Sequence, residues 1–150
     1  MKDVTVRRLG PSDDAELRRF EAAFDHAIDP AQARAFLDDP RHHMIVAYVD
    51  GEPAGFVSAT EIFHPDKAPE MFLNELGVVE QLRRRGAATA LVGELRRLSD
   101  EAGCVAIWVL TDEDNRPAMS TYTKTGGHWN GEYQVMFEYD SGPTDQQHSL

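Results

Sequence analysis

The chain has 150 residues, and its 15 Lys and Arg against 26 Asp and Glu give a formal net charge of −11. A single cysteine and 41% hydrophobic residues exclude a disulfide-stapled or disordered class and lead us to expect a reducing, cytoplasmic setting. No apolar stretch reaches the length of a membrane span or a signal sequence, and a broad nucleic-acid surface would need far more Lys and Arg.

A chain of this length is expected to form one domain, here residues 1–140. The tail SGPTDQQHSL shows no apolar pattern and is expected to be disordered. Along the domain, residues 4–9 alternate as a first strand. Pro11 and Ser12 open a helix whose Leu17, Phe20 and Phe24 share a face. A second helix starts at Asp29-Pro30-Ala31-Gln32, with Asp29 as N-cap, Pro30 in the first turn and Gln32 closing a capping box. Phe36 and Leu37 give that helix its buried face. MIVAYV (44–49), the turn Asp50-Gly51 and AGFVSATEIF (54–63) read as a hairpin. After the two-proline loop 64–69, MFLNELGVV (71–79) is another strand.

The longest helix follows, with Ala88, Leu91, Val92, Leu95, Leu98 and Ala102 at 3.6-residue period and Gly103 as its stop. CVAIWVL (104–110) is an unbroken apolar run typical of a strand covered on both faces. Residues 115–124 are expected to be helical, ended by Gly126-Gly127, and residues 133–139 form a last strand. Cys104 and Trp108 are expected in the core. The six histidines show no metal-ligand spacing, so no metal is expected.

Charge is unevenly spread. Residues 101–150 carry 2 basic and 8 acidic groups, whereas Arg83, Arg84 and Arg85 form the only run of three basic residues. That run stands between a strand and the start of the longest helix. A helix N-terminus exposes unpaired N–H groups and about half a positive charge. Gly86, Ala87, Ala88 and Thr89 keep its approach small, and the arginines add forked donors. Such a place suits a pyrophosphate. It is neither a P-loop, which needs a GKS or GKT, nor a dinucleotide fingerprint, which needs three glycines.

Arg83-x-x-Gly86-x-Ala88 resembles the [Q/R]-x-x-G-x-[G/A] motif of the GNAT family of acyl-CoA-dependent N-acyltransferases. Asn115-x-x-Ala118-x-x-x-Tyr122-x-Lys124-x-Gly126 is similar to its second signature, and the order of elements over roughly residues 4–140 agrees. Many members carry an aromatic residue where this chain has Gly127. Within the family, EMFLNELGVVEQLRRRGAATAL, VLTDEDNRPAMSTYTKTG and VMFEYD most resemble the aminoglycoside 3-N-acetyltransferase group. The resemblance implies an α/β fold with a central mixed, mostly antiparallel sheet, splayed middle strands and flanking helices. It also implies an acetyltransferase that takes acetyl-CoA as donor.

Acetyl transfer must deprotonate an amine, stabilise the thioester oxygen and release a thiolate. A lysine-like amine is neutral in only about one part in 10³ at pH 7, a cost of roughly 4.6 kcal/mol, so a carboxylate near it is required. Glu75, mid-strand in LNELGV, is the expected general base, and Asp112 the second candidate. By resemblance, the backbone N–H of Leu76 or Val78 would bind the thioester carbonyl. Tyr122 would protonate the thiolate, and Asn115 and Ala118 would meet the pantetheine arm. Acidic residues including Asp25, Asp29, Glu61, Glu70, Glu132 and Glu138 are expected to rim a cleft for a small cationic acceptor such as an aminoglycoside, which would confer antibiotic resistance. AAFDHAIDP would be the recognition loop. Other readings are a protein N-terminus, lysine or metabolite amine as acceptor, and a non-catalytic acetyl-CoA sensor. Trp129, Tyr133 and Phe137 are candidates for a homodimer surface.

Overall fold

The N-terminal alternation forms a strand, β1 (Val4–Leu9), paired antiparallel with β2 (His42–Val49). A computed structural model describes residues 3–142, so the tail from residue 143 onward lies outside the described residues. From β2 the chain turns into β3 (Glu52–Ile62). Asp50 and Gly51 have φ of +50° and +82°, both positive as a two-residue type I′ hairpin requires. β4 (Glu70–Val78) runs antiparallel to β3, and the sheet order is β1-β2-β3-β4-β5.

The last pairing makes the sheet mixed and opens it. β5 (Ile107–Trp108) runs parallel to β4 and meets it only at Met71–Ile107 and Phe72–Trp108. Beyond Phe72, β4 has no strand on that side among the described residues.

Each face of the sheet has its own cover. α3 (Ala87–Glu101) lays Leu91 and Leu95, both fully buried, against Ile45, Val57 and Leu73. On the other face lie α1 (Asp14–Arg18), a 3₁₀ turn (Glu21–Ala23) and α2 (Pro30–Asp38). Leu17, Phe20 and Leu37 from these elements meet Val46 and Phe56 of the sheet. Burying side chains of this kind contributes roughly 1.5–3 kcal/mol each. α4 (Arg116–Lys124) packs beside α3, where Arg96 donates to the Thr125 carbonyl at 2.8 Å. No helix of the described residues is long and apolar enough to cross a membrane.

Six sequence expectations change. The first helix breaks after α1, because Phe24 leaves the helical stripe to stack on Phe56, centroids 3.7 Å apart. At α2, Asp29 accepts from the N–H groups of Ala31 and Gln32 at 2.9 and 3.0 Å; Gln32 enters through its backbone rather than a side-chain box. The strand expected over 104–110 shrinks to two residues, and residues 133–139 form no strand. Neither gains a second neighbour to pair with, so Val105 and Leu110 are exposed. Trp108 is 39% exposed and leans on Phe72 instead of entering the core. Cys104 is only half-buried, its thiol pKa raised by desolvation.

Candidate active site

The open side of β4 and the loop after it form the floor of a cleft of about 450 Å³. Its far wall is the segment between the 3₁₀ turn and α2. Asp25 and Phe24 line it from that segment, Glu75 to Val79 from β4 and its end, and Glu80 and Arg83 from the following loop.

The wall is held by several independent contacts. Glu21 accepts from the Ile28 N–H at 2.8 Å, closing the segment on itself, and Asp29 ends it as the cap of α2. Phe24 stacks on Phe56. Beneath them the backbone carbonyl of Ala23 presses on Gly77, where a Cβ would collide with it. Glycine within a strand commonly marks such a close backbone approach. LNELGV therefore contained a signal for the cleft wall in Gly77, which reading for catalytic residue types passes over. Phe24 and Phe56 were equally invisible as site residues, because their spacing speaks only of core.

Glu75 pairs across the sheet with Ser58, and the register slips one residue further on, between Ser58 and Ala59. This bulge leaves both Asn74 and Glu75 solvent-accessible in mid-strand. Accessible is not the same as fully hydrated here. Glu75 sits in a concave wall, and desolvation there, followed by the charge of Asp25, raises its pKa above the usual carboxylate range; His26 opposes the shift.

The N–H of Val79 donates to the Ala54 carbonyl at 2.8 Å, toward β3. Strand N–H groups alternate sides, so those of Leu76 and Val78 turn to the side that β5 has left open. Arg83 folds back to donate from Nε to the Val78 carbonyl at 3.1 Å, placing its guanidinium at the cleft mouth.

The loop then enters α3 through two left-handed residues, Arg84 at φ +63° and Gly86 at φ +92°. No side chain caps α3. Ala90 N–H is the first to find a helical partner, the Gly86 carbonyl; the N–H groups of Ala87, Ala88 and Thr89 precede that first bond. A Cβ at Gly86 would meet nothing within 4 Å, so the space above this N-terminus is open. Arg85 Nη1 is buried without a hydrogen-bond partner among the described residues. The unpaired N–H donors and the open space above them, beside three arginine charges, fit a pyrophosphate. Ala87 differs from its neighbours, because at 2% exposure its small side chain serves the core rather than a ligand.

Other candidates stand apart. Asn115 caps α4, accepting from the Ala118 N–H at 3.3 Å. Tyr122 packs against the α3-side core, where burial pushes its phenol pKa up, and it does not line the cleft with Glu75. Asp112 is exposed in the loop before α4, and its recorded contact is its carbonyl accepting from the Asn115 N–H. The expected acidic rim does not assemble. Asp29 is spent as a cap, Glu61 bonds His43 at 2.6 Å and Glu70 bonds His64 at 2.7 Å. Glu132 and Glu138 lie on the exposed C-terminal segment, outside the cleft. Local partners claimed Asp29, Glu61 and Glu70, and of the expected set Asp25 and Glu75 share the cleft.

A family model described as "Acetyltransferase (GNAT) family" matches residues 13–127. An uncharacterized N-acetyltransferase of Mycobacterium tuberculosis is 29% identical over 107 residues, 71% of this chain, and the match spans only 66% of that relative's length. The fold is similar to that of an aminoglycoside acetyltransferase from a soil metagenome, at TM-score 0.79 and 26% identity, over 93% of this chain and 99% of that one. It is also similar to the aminoglycoside N-acetyltransferase AAC(6′)-Iy, solved with a CoA bisubstrate analogue, at TM-score 0.76 and 20% identity, over 93% and 99% of the two chains. Where such a neighbour names a position it is 6′, not the 3-N position that the sequence motifs suggested.

Proposed function

The chain belongs to the acetyltransferase (GNAT) family, and from that premise we propose that it acetylates a primary amine of a small polycationic acceptor, of which an aminoglycoside is the leading candidate. Acetyl-CoA supplies the acetyl group as a thioester. The α3 N-terminus with Arg83, Arg84 and Arg85 holds its pyrophosphate, and the N–H groups of Leu76 and Val78 receive the thioester oxygen as negative charge develops on it. Glu75 takes the proton from the acceptor ammonium, and Tyr122 returns one to the departing sulfur. Asn115 and Ala118 border the pantetheine arm.

The observation that carries the acceptor class is the pairing of Asp25 with Glu75 in one cleft. Burial first, and then the like charge of Asp25, raises the Glu75 pKa. An ammonium between the two carboxylates relieves their repulsion, so the cleft favours a cation. A raised carboxyl pKa also brings the base closer to that of the amine it must deprotonate. Acetylating an antibiotic amine would confer resistance.

The test is acetyl-CoA-dependent release of free thiol with aminoglycosides, simple polyamines, metabolite amines and peptides. Turnover with aminoglycosides or polyamines and not with peptides is the expected result. Turnover with peptides alone would move the acceptor to a protein N-terminus or lysine. Acetyl-CoA binding without any turnover would leave only a sensor.

A further inference from the structure

Ser58 is a buried polar residue that the reaction scheme leaves unused. It is 3% exposed, and its Oγ has no hydrogen-bond partner among the described residues. Its surroundings on β3 are apolar: Phe56 packs into the cluster beneath α1 and α2, while Val57 and Ala59 pack into the cluster beneath α3. Side chains alternate along a strand, so Ser58 shares the face of Phe56, on which the cleft wall sits. An alanine would serve packing there without stranding a hydroxyl.

The residue directly across the sheet from Ser58 is Glu75. Facing residues of an antiparallel pair have Cβ atoms about 4.5–5.5 Å apart, within reach of a hydroxyl–carboxylate bond or one bridging water. The register shift beside Ser58 belongs to the same spot, and bulges re-aim side chains in this way.

We propose that Ser58 is a positioning residue for Glu75. Its hydroxyl donates to the Glu75 carboxylate, directly or through one water, when the acceptor is bound, and so turns the other carboxylate oxygen toward the amine. This rests on Glu75 being the base. A donor to the ionised form favours that form, so Ser58 works against the upward push of burial and of Asp25. The charged groups sharing the cleft with Glu75 are Asp25 from the wall and Glu80 and Arg83 from the loop after β4, and His26 of the wall segment also acts on its charge. All are unchanged by substitution at Ser58.

The experiment is a carboxyl-carbon NMR titration of Glu75 in the wild type and in Ser58→Ala, each with the acceptor present and absent, beside kcat pH profiles, which report the acceptor-bound enzyme. With acceptor bound, Ser58→Ala should titrate Glu75 about one pH unit higher, move the acid limb of kcat upward, and leave the KM for acetyl-CoA unchanged without lowering the Tm. Ser58→Thr, which keeps the hydroxyl, should restore the limb. An unmoved Glu75 titration in Ser58→Ala overturns the proposal. A moved titration beside a fully active Glu75→Gln upholds the Ser58–Glu75 bond and removes Glu75 as the base instead.

Discussion

Glu75 holds its proton more tightly in the folded chain than an ordinary glutamate, because burial and then Asp25 disfavour its charge. Between the unfolded and the raised folded pKa the native state carries the extra proton. Stability therefore falls as pH rises through that window, and the cost persists at neutral pH. Glu75→Gln should accordingly raise the Tm at pH 7 while lowering kcat by roughly 10²-fold or more. Thermal melts and steady-state kinetics on one sample read both effects, and an unchanged kcat would remove Glu75 as the base. Tyr122 is a complementary case, since burial pushes its phenol upward and keeps it protonated, ready to donate, at neutral pH. Tyr122→Phe should slow turnover with little change in acetyl-CoA affinity; a large loss of affinity would make it a packing residue.

Among the elements, α3 combines a core-packing face with the N-terminus proposed to hold the pyrophosphate. Its Leu91 and Leu95 anchor it to the sheet, while Arg8 of β1 ties its far end through Glu94 and Glu101 at 2.8 and 2.7 Å. Its N-terminus is therefore rigidly aimed, which a dipole-based anion site requires. Arg85→Ala should weaken acetyl-CoA binding by about tenfold or more, as loss of a charge-assisted contact does, without lowering the Tm. Calorimetric titration with acetyl-CoA and with a pantetheine fragment lacking the pyrophosphate checks this; equal weakening of both would refute the clamp. This element was readable from the chain, because Gly86, the arginine run and the 3.6-residue stripe are local signals. The cleft wall was readable only as the loop AAFDHAIDP that the resemblance singled out, not in how it is held. Phe24 looked like one more residue of a helical stripe, whereas it lies beyond the helix and stacks on Phe56.

At the scale of the molecule, the sheet is covered on both faces, whereas the segment after α4 leaves large apolar groups in water. Trp129, Tyr133, Val135, Met136, Phe137 and Tyr139 are 53% to 91% exposed. A monomer rarely leaves apolar surface in water on this scale. We expect copies of the chain to associate through this segment, with light scattering giving a mass above one chain and Phe137→Glu reducing it. A wild-type monomer at micromolar concentration would refute the association.

What the sequence by itself determined was set by short-range rules: the Asp50-Gly51 hairpin, the Asp29 cap, the buried stripe of α3 and the two motifs that identify the family. Those signals span a few residues each, and their geometry is the same wherever they occur. The tertiary structure alone decided which carboxylates reach the cleft. Glu61 and Glu70 look as available as Asp25 in the sequence, yet two histidines take them up. It also decided that the apolar run at 104–110 pairs over only two residues, since strand length depends on what lies alongside. Partners distant in the chain settle both matters, and composition and periodicity carry no record of them.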